Sequence, residues 1–251
     1  MNVSIVIVSW NVSELLRKCL RSIFAHTSDV EVIVVDNASS DGTHDMVRSF
    51  PNVSLIQNTE NKGFAVANNQ GIAIAHGSSI LLLNPDTELT EDSISKILNF
   101  ADTHPKAGII GCTLLNPDRT TQPSVRRFPR MRDIAAMLLK LHKIAPRLLD
   151  RYYATDFDYT KEARVDQVMG AFFFIAARLL KQAGGLDEDY FTWFEEVDYC
   201  RTAERLGFDV WYAPITSIVH YGGQSFAQRT TIKKQWWFFK SAMHYLRKKH
   251  A

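Results

Sequence analysis

The sequence lacks the features that mark several large protein classes. Its three cysteines, Cys19, Cys112 and Cys200, are widely spaced and form no metal-ligand pattern, which fits a reducing compartment. No apolar run approaches the ~18 residues that a membrane-spanning helix needs. The first apolar segment, residues 3–10, is short and follows no cationic segment, so it predicts a first strand rather than a signal peptide. We therefore expect a cytoplasmic protein that is at most peripheral to the inner face of a membrane.

Familiar phosphate-binding motifs are also absent. There is no G-x-x-x-x-G-K-[ST], and no G-x-G-x-x-G follows the first apolar segment. The sequence therefore disfavours a P-loop enzyme and an ordinary dinucleotide-binding domain. A bound nucleotide would have to be held by acidic side chains and a metal ion rather than by a glycine-rich loop.

Charge is distributed unevenly along the 251 residues, although the net charge is only +2. Residues 126–151 hold eight Lys and Arg against two Asp, and residues 229–251 hold seven Lys and Arg with no acid. The remainder carries a net charge of −11. With 46% hydrophobic residues the chain can bury one large core. An acidic body with two basic segments favours an anionic partner surface.

Apolar strands and amphipathic helices alternate over the first 112 residues. This alternation predicts an α/β fold with a mostly parallel central sheet and helices on both faces. The predicted strands are residues 3–8, 31–35, 53–57, 79–83 and 108–112. The predicted helices are residues 13–25, a short helix that Asp41 or Thr43 caps, residues 64–76, and residues 90–103.

The pattern changes after residue 116. Residues 117–165 mix Pro, Arg and aromatic residues around one helical apolar face, which Pro146 interrupts. That face consists of Ile134, Met137, Leu138, Leu141, Ala145 and Leu148. Further predicted elements are a strand over 165–176, helices over 178–183 and 197–205, a strand over 208–213 and a closing helix over 231–249. No repeat or linker divides the chain, which predicts one domain.

Two apolar runs end in acidic residues. Residues 32–35 precede Asp36, and residues 80–83 precede Asn84, Pro85 and Asp86. Pro85 disfavours helix at Asn84, so the chain leaves the sheet there and delivers Asp86 to the carboxyl edge, where open α/β sheets bind ligands. A single Asp at such a place is often a turn former or a helix N-cap. The repetition favours a site for a polar ligand and a cation.

Glu195 and Glu196 directly follow an aromatic cluster at residues 190–194 and precede a predicted helix. Carboxylates at a helix N-terminus are stabilised by the helix dipole, which is a purely structural explanation. The alternative is a general base, because partial burial raises the pKa of a carboxylic acid toward working pH. Aromatic rings also provide flat surfaces on which sugars stack.

Taken together, these segments resemble family 2 of the inverting nucleotide-sugar glycosyltransferases, which have the GT-A fold. Within that family the chain is similar to the bacterial branch that includes rhamnosyltransferases of cell-surface polysaccharide assembly. The matching segments, in order, are IVSWN at 7–11, VDNASSDGT at 35–43, NKGFA at 61–65, LNPD at 83–86, GAF at 170–172, GGLD at 184–187, FEEVDYCR at 194–201 and HYGGQS at 220–225. Each match is weak alone, whereas the ordered set is specific.

The resemblance implies a role for each matching residue on the donor side. Asp36 would accept a hydrogen bond from the N3–H of uracil or thymine, with Ser9 and Trp10 against the base. Lys62 and Gly63 would lie along the ribose and the diphosphate. Asn68 and Asn84 complete the implied nucleotide-sugar site, together with Asp86.

The resemblance also implies a metal and a base. Asp86 would bind Mg²⁺ or Mn²⁺ bridging the two phosphates, and His220 matches a position that helps bind metal in some relatives. As a bare feature His220 is more typical of a packed histidine. Asn84 replaces the first acid of the family's Asp-x-Asp element, which leaves one carboxylate fewer. Glu196 is the expected catalytic base, and Glu195 is the alternative.

The implied activity is an inverting, metal-dependent transfer of one sugar, with dTDP-rhamnose as the favoured donor. The acceptor would be a hydroxyl of a glycan or lipid-linked molecule, contacted by Gly170, Ala171 and Trp193, and no nucleic acid is expected. Residues 1–116 would form the nucleotide-binding half and residues 117–228 the acceptor-binding and catalytic half, with a basic excursion at 126–151. Residues 229–251 would add an amphipathic basic helix.

Two other functions remain compatible with the sequence. A sugar-1-phosphate nucleotidyltransferase has a similar fold, but it would show a Gly-rich, Arg-containing loop where Ser9, Trp10 and Asn11 stand. A non-catalytic nucleotide-binding membrane adaptor is the second, because Asn84 weakens the expected metal site. Release of free nucleoside diphosphate from a sugar nucleotide would discriminate against both.

The two basic segments offer a route to an anionic membrane surface. Four arginines, Arg126, Arg127, Arg130 and Arg132, precede the apolar face of residues 134–148. The closing helix has Ile232, Trp236, Phe239, Met243 and Leu246 on one side and Lys233, Lys234, Lys240, Lys248 and Lys249 around it. This composition suits an interfacial helix. The alternative is that both apolar faces pack on the domain.

Overall fold

The structure is a computed structural model that describes residues 2–222 and 231–248. Its strands are β1 Val3–Ser9, β2 Glu31–Asp36, β3 Val53–Gln57, β4 Ser79–Leu83, β5 Thr87–Leu89, β6 Ala107–Leu115, β7 Thr121–Gln122, β8 Val125–Arg126, β9 Ala163–Arg164, β10 Gln167–Val168, β11 Phe172–Ile175 and β12 Asp209–His220. Its helices are α1 Ser13–His26, α2 Thr43–Arg48, α3 Phe64–Ile74, α4 Ser93–Thr103, α5 Met131–Leu138, α6 Ala177–Ala183, α7 Glu195–Arg205 and α8 Thr231–Arg247. Two 3₁₀ turns, Leu141–Lys143 and Pro146–Leu149, follow α5.

The main sheet has the strand order β3-β2-β1-β4-β11-β6-β12-β5. Strands β1 to β4 run parallel to one another, and β12 runs parallel to β6, whereas β11 and β5 pair antiparallel with their neighbours. The predicted mostly parallel sheet is confirmed. The carboxyl ends of β1, β2 and β4 meet at one edge, which places Asp36 and the segment after Leu83 on the same side.

Helices cover both faces of this sheet, as the alternation predicts. Alternate residues of β1 face opposite layers: Ile5 and Ile7 pack with α1 and α4, and Val6 packs with the layer that contains α6 and α7. β4 is buried at all five positions, which confirms that its apolar run is covered on both faces. Each fully buried aliphatic side chain of this kind contributes about 1.5–3 kcal/mol.

The second half of the chain departs from the sequence prediction. The single strand predicted over 165–176 is two strands, because β10 pairs with β8 in a separate two-stranded sheet while β11 pairs with β4 and β6. Residues 169–171 carry the chain from one sheet to the other. The strand predicted over 208–213 continues to His220, since β12 also pairs with the unpredicted β5.

The predicted helical face at 134–148 is also divided. Helix α5 ends at Leu138, and Lys140 adopts a left-handed backbone with φ of 56°, which starts the 3₁₀ turns. Ile134 is buried, whereas Leu141 and Leu148 are exposed. This face therefore does not pack on the domain as a unit. Among residues 2–222 and 231–248, no helix combines the length and the apolar character needed to cross a membrane.

Candidate active site

The carboxyl ends of β1 and β2 bring Ser9 and Asp36 side by side, because they are register partners in the parallel ladder. Both side chains are fully buried. Oδ1 of Asp36 accepts a hydrogen bond from the Ser39 amide at 3.1 Å. Within the described part of the chain, Oδ2 of Asp36 and the Ser9 hydroxyl have no hydrogen-bond partner. Buried polar groups normally are paired, so these two atoms mark a place where a ligand donor could bind.

The loops after β1 and β2 are tied together above Asp36. The Asn11 amide donates to the Ser39 hydroxyl at 2.9 Å, and the Ser40 amide donates to Oδ1 of Asn11 at 2.7 Å. Asn11 and Ala38 both adopt positive φ, at 53° and 64°. Trp10, which the sequence places against a base, lies partly exposed in this loop. These contacts close the site over Asp36.

Asn37 organises the neighbouring Lys62–Gly63 segment, a role that the sequence reasoning did not assign. Its Oδ1 accepts from the Lys62 amide at 3.0 Å, and its Nδ2 donates to the Gly63 carbonyl at 3.0 Å. Asn37 is itself buried, and Asn58 donates to it at 3.1 Å. The Lys62 side chain is exposed at the edge of the site. The signal available in the sequence was the acid–amide pair that directly follows β2.

Gly63 occupies a position that only glycine fits. Its φ is 90°, and a Cβ atom there would lie 2.5 Å from the backbone oxygen of Phe191. The Phe64 amide donates to that same oxygen at 2.7 Å. Phe191 stands four residues before Glu195, so the Lys62–Gly63 loop is in direct contact with the segment that precedes the acidic pair. Asn68 lies on the buried side of α3, where its Nδ2 donates to the Phe64 carbonyl at 2.9 Å.

Asp86 and His220 meet at the carboxyl edge of the sheet. Nε2 of His220 lies 3.4 Å from Oδ1 of Asp86, and both residues are buried. The Tyr221 amide donates to the Asp86 carbonyl at 2.9 Å, which fixes the two chain segments together. Nδ2 of Asn84 lies 3.5 Å from the same Nε2 atom. The structure therefore places Asp86 and His220, the two predicted metal ligands, next to Asn84, which the sequence assigned to the nucleotide-sugar site.

A chain of amide groups sets the tautomer of His220. Nε2 of Gln122 donates to Asn116 at 3.0 Å, which turns Oε1 of Gln122 toward Nδ1 of His220 at 2.6 Å. Nδ1 then carries a proton, and Nε2 is the ring nitrogen that faces Asp86. A histidine that donates one ring N–H to an oxygen and offers the other nitrogen is the usual arrangement of a metal ligand. The donor set of one imidazole, one carboxylate and one amide fits Mn²⁺ or Mg²⁺.

The acidic pair follows two strained residues. Trp193 and Phe194 have φ of 64° and 71°, a conformation that bulky residues rarely adopt. They turn the chain sharply into α7, whose first residue is Glu195. Sequence reasoning predicted the helix from Val197 and did not find this turn. The turn places Glu195 inside the core, at 4% exposure, and leaves Glu196 partly exposed.

Each of the two carboxyl groups affects the pKa of the other. Burial, and then repulsion from Glu196, raise the pKa of Glu195 well above its usual range. Burial also raises the pKa of Glu196, although a hydrogen bond from Glu195 opposes that rise. These directions make Glu195 the better candidate to hold a proton and Glu196 the better candidate for a free carboxylate. In the described chain, Oε2 of each glutamate lacks a hydrogen-bond partner.

A cavity of about 130 Å³ lies beside Glu196. Its walls are aromatic and basic, and they include Arg126, Tyr152, Trp193 and Phe238. Trp193 packs edge-on against Phe238 of α8, with ring centroids 5.8 Å apart. A carboxylate of raised pKa at the wall of an aromatic cavity is the combination expected for a general base next to a sugar.

Gly170 and Ala171 connect this cavity to the Asp86 segment. The Asn84 amide donates to the Ala171 carbonyl at 3.1 Å. A Cβ atom on Gly170 would lie 3.6 Å from Oε1 of Glu196, so glycine leaves space directly over the carboxylate. Ala171 is fully buried, so it contributes its backbone hydrogen bond with Asn84 and no side chain at the surface. Residues 169–171 therefore link the cavity wall beside Glu196 to the segment that leads to Asp86.

A second cluster, Asp187, Asp189 and His244, could also hold a cation. Nε2 of His244 lies 3.0 Å from Oδ2 of Asp187, and Nζ of Lys248 lies 2.6 Å from the same oxygen. An ammonium group already neutralises this carboxylate, so the cluster fits an ion-pair network that fastens α8 to the domain. Lys248, which the sequence assigned to lipid headgroups, instead pairs with Asp187 and Asp198, and Lys249 lies outside the described residues.

Comparison with known sequences gives the family. A sequence model described as "Glycosyl transferase family 2" matches residues 4–166. The N-acetylglucosaminyl-diphospho-decaprenol L-rhamnosyltransferase of Mycobacterium tuberculosis is 29% identical over 88% of this chain and 76% of its own. The rhamnosyltransferase WbbL of Escherichia coli is 24% identical over 98% of this chain and 93% of its own.

Comparison with solved structures gives the fold. Residues 1–349 of S. aureus TarS superpose with a TM-score of 0.64 at 15% identity, over 90% of this chain and 62% of that one. The mannosyltransferase PcManGT from Pyrobaculum calidifontis, solved with GDP-Man and Mn²⁺, superposes with a TM-score of 0.59 at 18% identity, over 99% of this chain and 70% of that one. The predicted GT-A fold is confirmed. This chain spans about 62% of the TarS fragment.

Proposed function

We propose, from the premise that this chain belongs to glycosyltransferase family 2, that it transfers one sugar, with inversion, from a nucleoside-diphosphate sugar to a lipid-linked glycan. The observation that carries the proposal is the acidic pair, with Glu195 buried and Glu196 at the wall of an aromatic cavity. Residues 169–171 link this cavity wall to the segment that leads to Asp86, through the hydrogen bond from the Asn84 amide to the Ala171 carbonyl. The relatives' names favour rhamnose as the sugar and a sugar-diphospho-lipid as the acceptor.

The nucleotide base is proposed to bind at the ends of β1 and β2. Oδ2 of Asp36 lacks a partner in the described chain, and the N3–H of thymine or uracil would supply one. An unpaired buried carboxylate oxygen costs about 1–3 kcal/mol, which a bound base would recover. Because Asp36 is fully buried, residues around it must move for the base to reach Oδ2.

The diphosphate is proposed to lie between Lys62 and Asp86. Asn37 holds the backbone of Lys62, so the exposed ammonium group is anchored at the edge of the site. Asp86, His220 and Asn84 would hold a divalent cation there, which neutralises the charge that develops on the departing diphosphate. Gln122 holds Nδ1 of His220, so Nε2 is the ring nitrogen that faces this place.

Glu196 is proposed as the general base. It removes the proton of the acceptor hydroxyl as that oxygen bonds to the anomeric carbon, on the face opposite to the diphosphate. The bond between the anomeric carbon and the diphosphate oxygen breaks, and its electron pair leaves with the diphosphate. One displacement inverts the anomeric configuration, and no second carboxylate is needed as a nucleophile. Glu195 retains its proton and orients Glu196.

The acceptor is proposed to enter the cavity beside Glu196. Trp193 and Tyr152 supply aromatic surface for a sugar ring, and Gly170 leaves the carboxylate accessible. Arg126, at the same wall, suits the diphosphate of a lipid-linked acceptor. The Arg126 guanidinium is already positioned by hydrogen bonds to the Pro123 and Val125 carbonyls.

The direct test combines donor binding with product analysis. Thermal stabilisation by dTDP-, UDP- and GDP-sugars identifies the donor, since only a ligand that binds the native state stabilises it. We expect dTDP-rhamnose with Mg²⁺ or Mn²⁺ to give the largest shift. Incubation with that donor and a synthetic N-acetylglucosaminyl-diphospho-lipid should release free nucleoside diphosphate and give a product of inverted anomeric configuration by NMR. Stabilisation by no nucleotide sugar would contradict the proposal.

A further inference from the structure

One face of helix α8, its inner face, packs on the rest of the domain. Ser241 and Ala242 are buried, and the Ser241 hydroxyl donates to the Thr192 carbonyl at 2.8 Å. The ring of Tyr245 packs on Phe194 with centroids 5.3 Å apart. This face therefore packs on residues 192–194, which lead into Glu195 and Glu196.

The outer face of α8 presents large apolar residues to solvent. Ile232 is 82% exposed, Trp236 56%, Phe239 43% and Leu246 36%. Their spacing along the helix puts them on one stripe, and the rings of Trp236 and Phe239 stack at 6.1 Å. The stripe predicted from the sequence is thus real, but it is not the face that packs on the domain.

A second group of exposed apolar side chains adjoins the first. Met131 is 75% exposed, Leu139 70% and Ile144 86%, all within residues 131–149, which comprise α5, the two 3₁₀ turns and the residues that join them. Helix α5 packs against α8, so the two groups belong to adjacent elements. Together these elements hold nine of the twelve large hydrophobic residues that are exposed in the described chain. Contiguous apolar patches of this kind mark interaction sites.

Cations surround the apolar side chains. The exposed ones are Arg130, Arg132, Lys140, Lys143, Arg147, Lys233, Lys240 and Arg247. Nζ of Lys240 lies 5.5 Å from the ring of Trp236. Asp133 offsets part of this charge, because its buried Oδ1 lies 3.6 Å from Nε of Arg132, and the other cations outnumber it. The described part of α8 contains no acidic residue.

We infer that α5, the two 3₁₀ turns and the outer face of α8 form one docking surface for an anionic lipid bilayer. Apolar side chains interleaved with lysine and arginine, and with a tryptophan at the helix surface, match an interface of acyl chains and anionic headgroups. A purely apolar protein partner would leave these cations desolvated, whereas anionic headgroups pair with them.

The docking surface shares elements with the acceptor cavity. Phe238 lines the cavity beside Glu196, while its neighbour Phe239 points outward into the docking stripe. Arg126 lines the same cavity, and it is the first residue of the basic segment 126–151, which contains α5. This inference has one consequence that rests on the proposed function. A lipid-linked acceptor meets Glu196 while its lipid stays in the membrane.

The test is co-sedimentation of the full chain with vesicles at low salt. We expect binding to vesicles of equal parts phosphatidylcholine and phosphatidylglycerol, little binding to phosphatidylcholine alone, and weaker binding as salt rises. Lys233→Gln combined with Lys240→Gln should weaken partitioning about 25-fold, since each cation near an anionic surface contributes about fivefold. Ile232→Ser combined with Trp236→Ser should also release the protein.

Matched controls come from exposed residues elsewhere. Lys181→Gln on α6 and Ile74→Ser, 44% exposed at the end of α3, should bind vesicles like the unmodified chain. Equal binding to neutral and anionic vesicles, or unchanged binding of the α8 variants, would overturn the inference. A concentration-dependent dimer that Trp236→Ser abolishes would also overturn it, in favour of a second copy. Thermal stabilisation by donor, measured on the same variants, tests the proposed function independently.

Discussion

The Nε2 atom of His220 and the Oδ1 atom of Asp86 lie 3.4 Å apart, and Nδ1 of the same imidazole lies 2.6 Å from Oε1 of Gln122. A positive charge stabilises a buried carboxylate in this position, and either a second proton on the imidazole or a divalent cation supplies that charge. Two side chains from distant parts of the sequence thus form a place suited to a cation.

The first prediction concerns Asp86. Asp86→Ala should abolish turnover and remove the dependence of nucleotide binding on divalent ions, because the remaining imidazole and amide carry no negative charge. The fold should persist, which circular dichroism would check. Full activity of the unmodified enzyme in EDTA, or undiminished turnover of the variant, would sink this assignment.

A second prediction concerns Gln122, which touches no substrate in the proposed site. Gln122→Ala removes the acceptor that fixes the Nδ1 proton of His220, so metal affinity should fall by about 10–100-fold. Titration with Mn²⁺ followed by electron paramagnetic resonance measures this without turnover. Gln182→Ala, at an exposed position of α6, is the matched control and should leave metal affinity unchanged. Equal affinity in both variants would show that Gln122 does not orient the ligand.

The third prediction separates the two glutamates. Glu196→Gln keeps the shape of the side chain and removes its basicity, so kcat should fall by about 10²–10⁴ while donor binding is retained. Glu195→Gln keeps a hydrogen-bond donor toward Glu196 and should cost less. Steady-state kinetics with a fixed donor concentration measures both. If Glu195→Gln is the more damaging change, the base is Glu195.

Much of the fold could be predicted from the sequence because its first half is built from local signals. Continuous apolar runs gave β1 to β4, and amphipathic periodicity gave α1 and α4 within a few residues. Asp36, Asp86 and the acidic pair followed from their positions at element ends. Such signals depend on neighbours in the sequence, which is why they can be read without the structure.

The elements that were missed depend on contacts between distant segments. β5 exists because β12 pairs with it, and the break at residues 169–171 exists because β8 captures β10. The left-handed turn at Trp193 and Phe194 runs against the backbone preference of both residues, so no local rule predicts it. The roles of Asn37 and Gln122 also required the folded arrangement, since each contacts a residue far along the chain.

The fourth prediction concerns stability and pH. The native pKa of Glu195 is raised above 4.5, so the unfolded chain releases this proton at lower pH than the native one. Stability from this group is therefore complete below about pH 4.5 and declines as pH rises through the raised native pKa. Glu195→Gln should remove that decline. The Tm of this variant, relative to the unmodified chain, should therefore be higher at about pH 8 than at about pH 5. A gain of about 1 kcal/mol corresponds to about 2–4 °C in a chain of this size.

Differential scanning calorimetry of three proteins checks the sign. Glu162→Gln, at an exposed position, should show the same pH dependence of Tm as the unmodified chain. If Glu195→Gln lowers Tm at both pH values by the same amount, Glu195 is ionised in the native state and does not hold the proton. A higher Tm with lower turnover would show that the acidic pair is kept for function at a cost in stability.

The last prediction compares two glycines with positive φ. It tests the contact between the Lys62–Gly63 loop and the segment that leads to Glu195. At Gly42, with φ of 80°, an added Cβ would meet nothing within 4 Å, whereas at Gly63 it would lie 2.5 Å from the Phe191 oxygen. Gly42→Ala should therefore cost only the left-handed strain of about 1–2 kcal/mol. Gly63→Ala adds a clash with backbone, which must move either Lys62 or the segment leading to Glu195. We expect Gly63→Ala to lower stability by more than ~2 kcal/mol and to weaken donor binding, while Gly42→Ala leaves donor binding intact. Calorimetric titration of both variants decides the point, because equal donor affinity would mean that the two loops are not coupled.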